Sequence, residues 1–394
     1  MAEYLSPGVY VEKYDSGAIP MQGAFTDIAG FIGLAEKGPI TGKPQLVKSF
    51  EDYKKIYGGY LSEAEYGSSR YLPYSVEQYF NNGGSRAYIM RLSIEKVNTS
   101  GAVKTTDIHP DVYIGTDNGP GMRTGLQAFI EIDDVSAILI PGVTAPEVQR
   151  ALITFCENKK TCVAILDLPI DRTDAKDAVN YQGIYESSYA AYYHPWIQFY
   201  DALKERNAFF PPSGAIAGIY ARTDAEKGVN KAPANEIVRA CTGISVNIKD
   251  CDQDILNAKG INIIRSFTGR GIRVWGARTT STNAEWKYIN IRRLFIYVEQ
   301  SIRLNTQWVI YEQNQEPLWV RVKNTVEMFL NYCQQTGMLA GNFASEAFFV
   351  ECGRTTMSQN DIDNCKLICK VGVALLKPSE FIIFNITQKT APSE

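Results

Sequence analysis

Only two histidines, His109 and His194, occur in the 394 residues, and each precedes a proline. Neither sits in a recognisable catalytic setting, and no G-x-S-x-G elbow supplies a nucleophile, so no catalytic residue is assigned. Gly38-Pro39-Ile40-Thr41-Gly42-Lys43-Pro44 approaches a phosphate-binding loop. It puts three residues between its glycines where four are needed, and proline where Ser or Thr must meet a metal ion. Gly269-Arg270-Gly271 begins like a dinucleotide turn, but Gly276 comes two positions late. Asp250, Asp252 and Asp254 open like a calcium loop, yet Ile255 and Ile261 stand at its sixth and twelfth positions; a solvated acidic turn is expected. Cys365 and Cys369, i and i+4 in a strand-like segment, are expected on one sheet face as core. Without a CxxC or a nearby His they make no metal site. No cofactor is implied, and the functional content must lie in surfaces.

The elements that carry those surfaces fall into blocks. Around Pro7-Gly8 the opening residues alternate, with Val9 and Val11 on one side and Tyr10 and Glu12 on the other. That is a period-2 strand signal with no partner strand following; Asp15 to Pro20 reads as an extended linker. Residues 25–34 read as a buried strand. Ser49 is placed to cap a helix from Phe50 to Tyr57, and a second helix from about Pro73 ends at Asn81-Asn82-Gly83-Gly84. Arg86 to Leu92 resumes as strand. Residues 100–135 lack periodicity and read as an irregular connection. Strands at Ala137–Ile140, Cys162–Leu168 and around Trp196–Tyr200 then alternate with helices from about Ala145, near Asp174–Gly183 and near Ser213–Asp224. Such alternation predicts a parallel sheet covered on both faces. The last third shows two long helical spacings, Trp286 to Ile302 and Trp319 to Cys333, then strands at Ala347–Cys352, Lys366–Leu376 and Glu380–Gln388. Both ends of the chain thus carry long apolar strands detached from hairpins.

Hydrophobic residues are 45% and charged residues 21%, with a formal net charge of -3, the composition of a globular chain of two or three units. Mixed charges leave no footprint for nucleic acid. The N-terminus has no apolar signal region, and no stretch approaches a membrane span; synthesis in the cytosol without direct membrane insertion is the expectation. An α/β enzyme of unknown activity, or a static tube or capsid protein, remain the alternatives on composition and pattern.

Six runs, in order, carry a resemblance. They are Ser6-Pro7-Gly8-Val9-Tyr10-Val11-Glu12; Gln78-Tyr79-Phe80-Asn81-Asn82-Gly83-Gly84 with Arg86-Ala87-Tyr88; Asn262-Ile263-Ile264-Arg265-Ser266-Phe267; the stretch from Gly269 to Arg278; Tyr288-Ile289-Asn290-Ile291-Arg292-Arg293; and Lys377-Pro378-Ser379-Glu380-Phe381-Ile382-Ile383-Phe384. The chain resembles contractile tail sheath proteins of phages and extracellular injection systems. The resemblance implies α/β and α+β architecture: an inner, tube-facing α+β domain built from N- and C-terminal segments, and a subtilisin-like α/β outer domain without catalytic residues. It implies an arm and linker at 1–20, a body segment at 21–100, the outer domain at 101–275, the inner domain at 276–378 and a C-terminal arm at 379–394. It further implies self-assembly into hexameric rings stacked helically, with an inner tube protein, baseplate and terminal cap proteins as partners, in a phage tail or tail-like particle. An open strand edge templates pairing, so Val9, Tyr10, Val11 and Glu12, with Phe381, Ile382, Ile383, Phe384, Asn385 and Ile386, are expected to pair between subunits. Arg321, Lys323 and Glu327, away from the apolar stripe of their helix, are expected to face the tube.

Overall fold

A computed structural model of the chain describes residues 19–93, 108–181 and 185–380. The chain divides into two compact units, one of residues 25–297 and 376–394, the other of residues 1–24 and 298–375, and the division falls inside the helix Ile289–Asn305.

In chain order the larger unit contributes β1 (Ile28–Gly33), β2 (Gln45–Val47), β3 (Arg86–Arg91), β4 (Ala137–Leu139), β5 (Val163–Asp167), β6 (Ala190–His194), β7 (Ile197–Asp201), β8 (Arg206–Phe210), β9 (Gly243–Ile244), β10 (Ile261–Phe267) and β11 (Gly271–Val274). Eight of these form one sheet in the order β11-β10-β6-β5-β4-β1-β3-β2, while β7, β8 and β9 form a small antiparallel sheet. The six central strands from β10 to β3 run parallel, and β11 and β2 close the edges antiparallel. The strand order reverses beside β1, as in doubly wound sheets. Alternate side chains of one strand feed two separate cores: Ala29 and Phe31 join Tyr79, Ile216 and Ile219, whereas Ile32 joins Phe129, Leu152 and Ile138. This is the two-faced parallel sheet that the alternation predicts.

Local signals place most elements. Ser49 accepts from the Asp52 N–H and caps Phe50–Tyr57; Leu72–Asn81 carries Pro73 in its first turn; Pro146–Lys159 and Ser213–Lys227 follow their strands. Gly84 is fixed by space, since a Cβ there would lie 2.2 Å from the Tyr79 ring, whose hydroxyl reaches the Asp27 and Arg86 carbonyls at 2.6 Å each.

Five expectations need correction. The strand expected around Trp196–Tyr200 in the parallel sheet is β7 of the small antiparallel sheet, and β6 takes the place beside β5. Asp250, Asp252 and Asp254 lie on a helix, Asp250–Ala258, not in a turn; two of the acids occupy its first turn, where the positive end of the helix dipole favours them. The stretch after residue 107 is not all irregular, because Pro110–Ile114 is a short helix and Gly125–Glu131 a 3-10 helix. The helix near Asp174 is only Ala175–Val179. Cys365 is not in a strand with Cys369: it is exposed in a turn at φ +57°.

The smaller unit is built on the helix Glu316–Gln335, whose buried Trp319, Val322, Val326, Phe329, Leu330 and Cys333 are the stripe the spacing predicts, extended by Leu318. It adds the antiparallel pair β12 (Phe348–Cys352) and β13 (Cys369–Val373). The third strand expected there, from Glu380 on, falls outside the described residues after its first position.

Candidate functional site: the anchored roots of the terminal arms

The residues expected to form strand arms, Val9 to Glu12 and Phe381 to Ile386, lie outside the described residues. The described residues next to them, 19–24 and Glu380, are each held by polar side chains.

Within the smaller unit, residues 19–24 belong to no helix or strand, so their N–H groups have no ladder partner and must be satisfied otherwise. The Ile19 N–H donates to the Thr325 hydroxyl at 3.2 Å and the Ala24 N–H to the Ser301 hydroxyl at 2.9 Å. Asn305 pairs with Gln22 in both directions, accepting its N–H at 3.0 Å and donating to its carbonyl at 2.7 Å. Thr325 and Ser301 are fully buried, a placement tolerable only because they are paired.

Within the larger unit, Glu380 is the last described residue, and its carboxylate is held by several partners. Arg278 grips it with both arms of its guanidinium, at 2.7 and 2.6 Å. The Tyr288 hydroxyl donates at 2.7 Å and the Asn257 amide at 2.9 Å, with the Lys287 ammonium at 4.0 Å. Arg278 is itself set by Asn262, whose side chain accepts the Arg278 N–H at 2.6 Å and donates to its carbonyl at 2.8 Å. Burial by itself would raise the Glu380 pKa. The hydrogen bonds from Arg278, Asn257 and Tyr288 outweigh it and hold the carboxyl down at about 2. Burial and the neighbouring carboxylate push the Tyr288 phenol up to about 12.

A carboxyl whose folded pKa is depressed stabilises above its unfolded pKa of about 4.3, and that contribution is lost as pH falls through the folded value. We therefore expect Glu380→Gln to cost about 1–3 kcal/mol at pH 7. The gap between wild type and variant should narrow as pH drops from about 4.5 toward 2, which urea unfolding of both chains at stepped pH reads. A gap that stays constant with pH would contradict the clamp.

The runs quoted above converge on this framework. Arg293 forms a two-pronged pair with Asp224, at 2.9 and 2.5 Å, with both side chains nearly sealed from solvent. Arg292 donates to the Ser188 hydroxyl at 2.7 Å and lies over the Trp286 and Tyr189 rings. The Asn290 amide donates to the Asn230 carbonyl at 2.9 Å, and Asn82 accepts the Arg239 N–H at 2.9 Å. Sequence reading missed these roles, because only the helical spacing around Arg292 and Arg293 was visible.

Of the three residues expected on the tube face, Arg321 is exposed, its guanidinium 4.4 Å from the Trp308 ring centre. Lys323 and Glu327 are half-buried and paired with each other at 3.7 Å. The most exposed large apolar residues of that helix are Val320, Met328 and Tyr332, which share one face at i, i+8 and i+12.

The carboxyl ends of β4 and β5, where doubly wound sheets take ligands, are filled by the protein's own groups. Asp167 accepts from the Ser213 N–H and hydroxyl at 2.9 and 2.7 Å and from the Gly142 N–H at 3.0 Å. Ser213 is fully buried and Asp167 is 2% exposed. Burial raises the Asp167 pKa to about 6 against those bonds. The contact starts the Ser213–Lys227 helix, and a solvent-borne substrate cannot reach it. His194 is buried, which pushes its pKa down to about 4 and keeps it neutral; His109 caps the Pro110–Ile114 helix.

Comparison with known proteins finds matches along most of the chain. Residues 115–280 match the phage tail sheath protein central domain and residues 281–389 the phage tail sheath C-terminal domain. A putative prophage major tail sheath protein of Pseudomonas aeruginosa (strain UCBPP-PA14) is 27% identical over 318 residues, 77% of each chain. The sheath complex of an extracellular contractile injection system, PVC, in its contracted state superposes with a TM-score of 0.77 at 29% identity, covering 99% of both chains. The contracted helical sheath of the anti-feeding prophage gives 0.74 at 31% identity, over 97% of this chain and 99% of that one. With two sheath-domain models covering 115–389 and full-length likeness to assembled sheaths, this chain belongs to the phage tail sheath family that includes the sheaths of contractile injection systems.

Proposed function

We propose that the chain is the structural subunit of a contractile tail sheath, polymerising as hexameric rings stacked helically around an inner tube and contracting to drive that tube through a target envelope. The end-to-end likeness to sheaths in contracted assemblies carries this reading. The α/β unit serves as a subtilisin-like outer body without catalytic residues, and the C-terminal segment around the Glu316–Gln335 helix serves as the inner, tube-facing domain. The body divides at about 20, 100, 275 and 378. Beyond their anchored roots, the two arms add strands to neighbouring subunits. Main-chain hydrogen bonds between arms hold neighbours while the bodies rotate, a rigid-body change of lattice without dissociation. Baseplate and terminal cap proteins bound the stack, which is assembled from chains made in the bacterial cytoplasm.

Negative-stain microscopy of the purified chain tests the reading. Alone it is expected to form tubes of the contracted type; co-assembled on its inner tube it is expected to give a longer, narrower form. That form shortens irreversibly on mild heat or acid without ATP, because the free energy is stored in the extended lattice behind a kinetic barrier. Tubes of a single fixed diameter would mean a static shell, and monodisperse monomers would overturn assembly itself.

The tube-facing role of Arg321, Lys323 and Glu327 has a separate test. Reversing Arg321 and Lys323 to Glu is expected to weaken co-assembly on the tube while leaving the chain folded, the lost Lys323–Glu327 pair costing no more than about 1 kcal/mol. Co-sedimentation that stays unchanged would remove this helix from the tube interface.

A further inference from the structure

Eight cysteines are scattered through the chain, and in the smaller unit two of them are brought face to face. Cys352 ends β12 and Cys369 begins β13, and the antiparallel register sets them directly opposite each other. The Ala374 N–H donates to the Ala347 carbonyl at 2.8 Å. That makes 347 and 374 a hydrogen-bonded pair, and alternation along the ladder makes 352 and 369 a non-hydrogen-bonded one. In such a pair the two Cα atoms are only about 4.5 Å apart and the side chains lie closest, inside the span a disulfide bridges. Both thiols are half-buried beside the small core of Leu318, Trp319, Val322 and Met357.

We propose that Cys352 and Cys369 form a thiol–disulfide exchange site that takes a small-molecule disulfide such as glutathione disulfide and closes into a cross-strand disulfide stapling β12 to β13. The Cys369 thiol hydrogen-bonds to the Cys352 sulfur, which holds Cys352 below the usual thiol range and Cys369 above it; Cys352 is therefore the first nucleophile. Its thiolate attacks one sulfur of glutathione disulfide, forming a mixed disulfide and releasing one glutathione thiolate. Cys369 then gives up its proton and attacks the Cys352 sulfur, expelling the second glutathione. Two protein thiols are oxidised, one glutathione disulfide is reduced, and the two protons end on the two glutathiones.

Geometry separates this pair from the other cysteines. Cys156 and Cys162 have sulfurs 3.7 Å apart but are fully buried, out of reach of a tripeptide oxidant. Cys251 and Cys365 are exposed and serve as internal controls for reaction with the reagent. The bridge ties β12 to β13 where the 353–368 connection leaves them, beside a small core, and a cross-link that restricts the unfolded chain raises stability.

The test incubates the reduced full-length chain with glutathione disulfide and maps its peptides by mass. The expected product is one linked peptide pair containing Cys352 and Cys369, lighter by two hydrogens, with glutathione adducts on Cys251 and Cys365. The thermal unfolding midpoint should rise and return on adding dithiothreitol. In Cys369→Ser, Cys352 should instead hold a stable glutathione adduct. Recovery of both as free thiols or as separate adducts, while the exposed cysteines have reacted, overturns the site. A linked pair with an unchanged or lowered midpoint overturns the stapling role. Neither result bears on whether the chain builds a sheath.

Discussion

Chains lacking residues 1–14, or residues 381–394, are expected to fold as monomers and to lose polymerisation altogether. The deletions spare both roots: Ile19, Gln22 and Ala24 keep their bonds to Thr325, Asn305 and Ser301, and Glu380 keeps Arg278, Tyr288 and Asn257. Every described core residue is kept, so circular dichroism and the unfolding midpoint should match the full chain. What is lost is the main-chain pairing that the arms are proposed to give between subunits, and sedimentation should then show monomer only. Truncated chains that still grow into long tubes would move the inter-subunit contacts elsewhere on the body. A contrast with Glu380→Gln is informative. That variant keeps the arm but loosens its root, so it should weaken assembly in proportion to how far the exit direction of the arm is set by the clamp.

The second large effect belongs to Arg293 and Asp224. Both side chains are about 95% shielded, at 4% and 5% exposure. Arg293 also donates to the Thr26 carbonyl at 3.1 Å and stacks on Tyr220, 4.5 Å from its ring centre. Removing one member of such a pair strands the other as an unpaired buried charge. Arg293→Ala is therefore expected to lose about 3–5 kcal/mol, and Asp224→Asn a comparable amount. Replacing both with apolar residues of similar volume should recover much of the loss, because the desolvation cost of the charges disappears with them. Urea unfolding of the two single variants and the double variant closes the cycle. Single losses below about 1 kcal/mol, the range of exposed pairs, would show that the site is open to water in solution.

Local order was legible in the sequence wherever it rests on neighbours along the chain. The Phe50–Tyr57 helix follows from its Ser49 cap and apolar spacing, and the Glu316–Gln335 helix from its stripe between Trp319 and Cys333. The two-faced parallel sheet follows from strands alternating with helices, and the family from six short runs in order. The strands β6 and β10 escaped notice because their central residues are buried on both faces, which erases the alternation that marks a half-exposed strand. The acidic start of Asp250–Ala258 was read as a turn because carboxylates suit a solvated loop and a helix N-terminus equally well.

The amino-acid sequence by itself determined the helices and half-exposed strands whose periodicity and caps are local, and that no familiar catalytic or nucleotide motif is complete, since motif spacing is local too. Only the tertiary structure decided which polar residues act together: Glu380 with Arg278, Arg293 with Asp224, Asp167 with Ser213, Cys352 with Cys369. Those partnerships join positions far apart in the chain through sheet order and strand register. A charged or thiol side chain reads the same in sequence whether it is solvated or clamped, and its environment exists only once the chain has folded.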